Sequence, residues 1–202
     1  MNTITIIGQV VGFAAAAIMI LSFQFKKNKD LFIAQVIATS LFTVHYMLLG
    51  IGGDSGAFSG MAQSIGSQFL RIILVISERR EKWRSPLILT TLCAYCAVTA
   101  AFTFDRTNII CLLPMIGNMF AMGALWTRKP NVIRIAQFSV TTPCWLIYNI
   151  STNSIAGIIT EVFNLVSITV YYVRMYVKKR KEKKQNGEKE NEKSENNGAG
   201  QL

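Results

Sequence analysis

Apolar residues along this chain come in long, low-charge stretches of about 18 to 23 residues, each long enough as a helix to cross a hydrocarbon layer of roughly 30 Å. The pattern predicts seven transmembrane helices: Ile4 to Phe25, Leu31 to Leu49, Gly56 to Ser77, Pro86 to Phe104, Ile109 to Trp126, Val132 to Ile150, and Ile155 to Val177. Polar positions gather into short turns between them. Gly50, Gly52, Gly53 and Asp54 form one, Asp105 to Asn108 another, and Ser151 to Ser154 a third. Connections that short join neighbouring helices as hairpins.

Composition turns this pattern into an exclusion. The last 25 residues, from Lys178, hold 8 basic and 5 acidic residues but only two apolar ones. Apart from that tail, 19 of 177 residues are charged and about 57% are apolar, against about 25% charged in ordinary soluble domains. So few charges cannot give a domain of this size a water-facing surface, so a soluble globule is excluded. The formal charge of +10 does not point to nucleic acid, because the basic residues stand at the ends of apolar segments and not on one amphipathic face.

Their placement reads as topology. Cytoplasmic loops carry an excess of Lys and Arg, and here Lys26, Lys27 and Lys29 follow the first span, Arg79, Arg80, Lys82 and Arg84 the third, Arg128, Lys129 and Arg134 the fifth, and the tail the seventh. The opposite loops contain only Arg106. That alternation predicts an N-terminus outside and a C-terminus inside. No basic n-region precedes the first apolar run, so that span is expected to stay in the protein. The tail, mixing Lys, Glu, Asn and Gly, has the composition of a disordered segment, and its first basic cluster suits anionic lipid heads. Cys93, Cys96, Cys111 and Cys144 all lie inside apolar segments, where a disulfide framework is not expected.

The chain also repeats itself. Shifted by 102 residues, Lys26 to Tyr46 aligns with Arg128 to Tyr148 with six of 21 positions identical: Lys27/Lys129, Ile33/Ile135, Ala34/Ala136, Gln35/Gln137, Thr39/Thr141 and Tyr46/Tyr148. Roughly one or two identities would arise from composition. Three spans per copy with one span between them give both copies the same orientation. The expected organisation is a three-helix unit at 1–85, a linker helix at 86–107, a second three-helix unit at 108–177, and the charged cytoplasmic tail at 178–202. Parallel repeats of this kind are one of the two transporter constructions, with the solute site between the copies near the midplane.

Two resemblances rest on specific residues. Trp145-Leu146-Ile147-Tyr148-Asn149, then a short polar turn, then a helix bearing Glu161, resembles the SWEET and SemiSWEET sugar transporters and the wider PQ-loop superfamily. Ser22-Phe23-Gln24, the Lys cluster after it, and His45-Tyr46 followed by Gly50 are similar to the YgjV-type bacterial inner-membrane proteins, a family placed near SWEETs. The resemblance implies a bacterial inner-membrane protein of 3-1-3 architecture with an outside N-terminus. It also implies substrate contacts from a Trp of the second helix and an Asn of the third in each unit. Trp145 matches the Trp, whereas Glu161 stands where the Asn would be; in the first copy Thr43 and approximately Gln63 take those places. Neither copy carries the Pro-Gln dipeptide of the family's first helix.

Among individual residues, Glu161 is the only acidic one inside a span, where an ionisable group costs about 2.5–3.5 kcal/mol on insertion scales. Facing a cavity, it would bind a cationic or zwitterionic solute, or take a proton during transport. Near the outer interface it would simply be hydrated. Asn164, three residues on, shares its side of the helix. Gln63 becomes the repeat counterpart of Glu161 if four residues are added to the first copy's turn, and Asn118 adds an amide at middle depth. These amides suit either ligand contact or bonds between helices.

His45, the sole histidine, reads as a hydrogen-bonded interfacial residue or a member of a proton relay with Glu161. No metal site is expected there, since no Cys, Asp or Glu stands at ligand spacing. Arg71 lies about fifteen residues into its span and is expected to snorkel to the inner interface, not to meet Glu161 directly. Cys93-Ala94-Tyr95-Cys96 has zinc or redox spacing but lies within a span with no second pair. Gly56-Ala57-Phe58-Ser59-Gly60 fits close helix packing.

No phosphate loop, hydrolase elbow, metalloprotease motif or nucleotide fingerprint occurs, so neither an enzyme nor a cofactor is expected. The leading expectation is a carrier moving a small polar solute by alternating access between the two units. A membrane assembly factor, sensor or scaffold that keeps the fold is the alternative. A homo-oligomer is left open.

Overall fold

The computed structural model describes residues 2–22, 25, 28–77, 85–104 and 108–199, the side chains at 28, 29, 31, 32, 179 and 181–199 excepted. Its regular elements are all helical: α1 Thr3–Ser22, α2 Asn28–Ile51, α3 Ala57–Ser77, α4 Pro86–Phe102, a 3-10 turn Ile109–Leu112 leading into α5 Leu113–Thr127, α6 Pro130–Ala136, α7 Thr142–Ser151 and α8 Ile155–Ala199. The chain divides into a compact unit, Met1–Asn164, and a second unit, Leu165–Leu202. The basic positions Lys26, Lys27, Arg79, Arg80, Lys82, Arg84 and Arg106, which carry the charge bias, lie outside the described residues, as do Phe23 and Gln24.

Five helices are long and apolar enough to cross a membrane: Thr3–Ser22, Ile33–Ile51, Ala57–Ser77, Ile109–Thr127 and Ile155–Lys178. They coincide with five of the seven expected spans. The fourth expected span is a shorter apolar helix, Pro86–Phe102. It opens on Ser85, whose Oγ accepts from Leu87 N–H at 3.3 Å, with Pro86 in the first turn, where no amide donor is missed.

The sixth differs from the uninterrupted helix expected at Val132 to Ile150. α6 and α7 are joined by a π-helical turn, Gln137–Thr141. Pro143 follows after Thr142, and a proline removes the bond to the carbonyl four residues back and crowds it. A widened turn just before it relieves that conflict.

The last helix, α8, extends from Ile155 to Ala199. Lys, Glu and Gln are good helix formers, and a helix already nucleated in the apolar span propagates far more easily than one starting alone.

The distribution of polarity is inverted relative to a soluble protein. Phe102 is 87% exposed and Val10 63%, while His45, Gln63 and Ser154 are 0% exposed and Asn149 1%. Apolar side chains therefore cover the outside, where lipid is the solvent, and polar groups pair inside. Threonine and serine hydroxyls within helices mostly return to carbonyls of the preceding turn, as Thr39 does to Gln35 O at 2.8 Å and Thr160 to Ala156 O at 2.9 Å. Those bonds let the hydroxyls sit in an apolar medium without an open donor.

Ala15, Ala16, Ala38, Phe42, Tyr46, Leu49, Ala57 and Tyr148 form one buried cluster, and Leu70, Leu74, Leu92, Cys96 and Met122 form another. Small residues let the helix backbones of the first cluster approach closely. One close approach is at Gly12 of α1, where a Cβ would stand 2.6 Å from His45 Nδ1 and 2.8 Å from Ala156 Cβ. Gly12→Ala is expected to destabilise the protein by about 1–3 kcal/mol through overpacking, read as a lower unfolding midpoint in detergent.

Candidate functional site

Tyr46 of α2 and Tyr148 of α7, identical in the repeat and 102 residues apart, lie side by side with ring centroids 5.9 Å apart. Tyr148 Oη donates to Gly56 O at 3.0 Å and accepts from Gly60 N–H at 2.8 Å. Gly60 must lack a side chain, since a Cβ would stand 2.5 Å from that hydroxyl. Tyr46 Oη donates to Asn149 Oδ1 at 2.8 Å, and Ser154 lies beside the same hydroxyl. The four-residue gap that sets Gln63 opposite Glu161 also sets Gly56 opposite Ser154. Each tyrosine thus crosses from one copy to the corresponding start of the other copy's third helix. Trp145 completes the group, 5.9 Å from the Tyr46 ring and 5.8 Å, edge-on, from that of Tyr148.

His45 ties three helices together. Nδ1 is 2.7 Å from Gly8 O and Nε2 is 2.7 Å from Ser154 Oγ. A carbonyl can only accept, so Nδ1 carries the proton, and in the neutral ring Nε2 accepts from the serine hydroxyl. Ser154 Oγ also accepts from Gly157 N–H at 3.2 Å, capping α8. Both ring nitrogens are engaged, which fits the hydrogen-bonded reading of this residue. A chain of contacts nevertheless links it to Glu161: Ser154 touches Tyr46, and Tyr46 lies within electrostatic reach of Glu161.

Glu161 is half-buried on α8. Asn164 Nδ2 donates to its Oε2 at 3.3 Å. The Thr142 hydroxyl lies beside the carboxylate, although it makes no hydrogen bond of ordinary geometry and is fully buried. Arg71 makes no ion pair with Glu161 among the described residues and acts on it only through its charge. Its Nε donates to Gln35 Oε1 at 3.3 Å and its Nη1 to Ser67 O at 3.1 Å and to Ser67 Oγ.

Gln63 and Asn118 are brought together, but with each other and not with Glu161. Gln63 Nε2 donates to Cys96 O at 2.9 Å and Thr99 Oγ1 at 3.1 Å, and Asn118 Nδ2 donates to Gln63 O at 2.5 Å. These bonds fasten α3 to α4 and α5. Thr43 Oγ1 returns to Thr39 O at 2.9 Å, so its hydroxyl is occupied within α2. The expected constellation thus separates into an aromatic group at Tyr46, Tyr148 and Trp145, an amide link at Gln63 and Asn118, and a charged group at Glu161, Asn164, Thr142 and Arg71.

A family model for bacterial inner membrane proteins, Imp-YgjV, matches residues 6–179. The chain belongs to that family. It is accordingly a multi-pass protein of the bacterial inner membrane, in agreement with its apolar helices. No curated protein and no solved structure gives a significant match.

For this Imp-YgjV protein, sequence reading passed over Tyr46, Asn149, Thr142 and Ser154 as site residues. A usable signal existed for Tyr46: its identity with Tyr148 in the repeat marks positions that a two-fold relation can bring together. Nothing comparable distinguishes Thr142 or Ser154 from the many hydroxyl residues that bond only to their own helix.

Proposed function

We propose that the protein is a carrier moving a small polar solute across the inner membrane by alternating access between two parallel three-helix units, 1–85 and 108–177. The helix at 86–107 links them, the N-terminus lies outside and the C-terminus inside. The observation that carries this reading is the setting of Glu161. An acidic side chain within a span is costly, and this one accepts from Asn164 beside the buried Thr142 hydroxyl, with Arg71 and Tyr46 of the first copy acting on it only through space. A charge that serves only to mark topology has no need of such a setting.

The crossed contacts of Tyr46 and Tyr148 support a two-fold relation between the units, and this is the relation that links the chain to SWEET-like carriers. The π turn beside Thr142 supplies a helix irregularity next to the charged group, a feature common at functional positions.

The alternative, a membrane scaffold or sensor, draws on a different observation. Gln63 and Asn118 are spent on joining helices, and α8 carries its charged tail as helix to Ala199, which would suit a partner. Proteoliposomes decide between them. Counterflow of at least one polar solute above that of protein-free vesicles is expected across a broad panel of sugars, amines, amino acids and organic acids. Absence of flux for the whole panel, together with tail-dependent capture of a protein, would establish the scaffold instead.

A further inference from the structure

We propose that α8, where it leaves the bilayer, carries a basic collar that gathers the headgroups of anionic phospholipids around the helix. Helix length sets the exit point. About twenty residues of helix cover a hydrocarbon layer of roughly 30 Å, so a crossing that begins with α8 at Ile155 leaves the apolar layer close to Met175.

The side chains at that level are those of a membrane interface. Tyr171 and Tyr172 meet edge to face with ring centroids 5.6 Å apart, and Tyr176 is 67% exposed. Tyrosines collect where the ring can stay in an apolar medium while the hydroxyl is wet. Arg174, Lys178 and Arg180 are exposed as well, and long basic stems carry their charge outward along an apolar surface.

Charge then changes sharply along the helix. Residues 178–184 hold six basic residues and one acidic, whereas 185–199 hold two basic and four acidic. α8 runs through both stretches. At about 1.5 Å per residue the basic run is roughly 9 Å long, close to the roughly 5–8 Å depth of one headgroup layer. Its position just beyond the tyrosines puts it in that layer.

The spread of these positions around the helix decides the kind of contact. Successive residues turn by about 100°, so positions 178, 179, 180, 181, 183 and 184 leave no gap wider than about 100° and make a ring, not a stripe. A helix lying along a membrane needs a basic face with an apolar face opposite, and a docked protein covers one side. Headgroups packed around a helix that passes through them meet every side. The acidic excess of 185–199 is repelled by an anionic surface, which keeps the outer stretch from folding back onto the membrane.

The test uses the purified full-length protein in phosphatidylcholine bilayers, with a trace of spin-labelled phosphatidylglycerol or spin-labelled phosphatidylcholine reporting which lipid the protein retains. At low ionic strength phosphatidylglycerol should be favoured roughly threefold or more, and molar salt should remove most of that preference. The variant K178Q/K179Q/R180Q/K181Q/K183Q/K184Q should lose about half of the preference or more, and K189Q/K193Q, beyond the headgroup layer, none. Should the sixfold variant fail to fold, K183Q/K184Q, at the watery end of the collar, should lose about a third.

Four results would each overturn the collar. They are a wild type without preference, collar variants that keep all of it, a distal variant that loses as much as the collar variants, and loss of the preference to inorganic phosphate at matched ionic strength. The last would make the run a site for free phosphate and not for lipid. Solute flux has no part in this readout, so carrier and collar stand or fall separately.

Discussion

Replacing Tyr148 by alanine should lower the unfolding free energy of the purified protein by about 3–5 kcal/mol, the range for truncating a fully buried aromatic residue. Tyr148 is 0% exposed, and its ring fills the junction among α2, α3 and α7 against Tyr46 and Trp145. Its hydroxyl occupies the carbonyl of Gly56 and the amide of Gly60. Truncation leaves a cavity at that junction and an amide without its outside partner.

Tyr148→Phe separates the two contributions. It keeps the ring and removes the hydroxyl, so the expected loss is about 0.6–1.7 kcal/mol, the scale measured for interhelical hydrogen bonds in a membrane protein. Tyr46→Phe, which removes the contacts to Asn149 and Ser154, should lose a similar amount. Because the rings touch, a double-mutant cycle between the two alanine variants should give a coupling of about 0.5 kcal/mol or more. Unfolding titrations in mixed detergent provide the readout. A Tyr148→Ala protein as stable as the wild type would mean that the two halves are not joined here.

The second large effect falls on activity and not on stability. Glu161→Gln should leave the protein as stable as the wild type or more so, while solute flux falls at least tenfold. The amide retains an oxygen that can accept from Asn164 Nδ2, as Glu161 Oε2 does at 3.3 Å. It also removes a charge whose presence within a span costs about 2.5–3.5 kcal/mol.

Removing one member of an interacting charge pair can also destabilise the other. That penalty is small here because Arg71 makes its hydrogen bonds to Gln35 and Ser67. Flux depends on the charge itself, so an isosteric neutral residue cannot replace it. Paired measurements of unfolding and counterflow check the split. A variant that loses stability and keeps flux would make Glu161 a structural residue and take away the main support for the carrier reading.

Much of the molecule was legible in one dimension. The bilayer as solvent, five of the helices with ends within a few residues, and the Ile-Ala-Gln repeat with Tyr46 opposite Tyr148 all follow from run length, charge count and self-similarity. Each is a property of consecutive residues, and the thickness of a membrane converts it directly into helix length. Membership of the Imp-YgjV family was likewise readable from local motifs.

The division of the polar residues was not. Gln63 and Asn118 looked as much like site residues as Glu161, and only packing joined them to each other and to Cys96 and Thr99. Arg71 looked like a residue turned to the interface, and only packing set its guanidinium on Gln35 and Ser67.

The sequence by itself determined that this is a helical inner-membrane protein, where most of its helices run, and which positions repeat. Tertiary structure alone decided which amides bind helices together, and that Tyr46 and Tyr148 exchange partners between the copies. The reason is rotational. In lipid a helix is apolar on nearly every face, so its hydrophobic pattern does little to fix its rotation about its own axis; close packing with its neighbours fixes it.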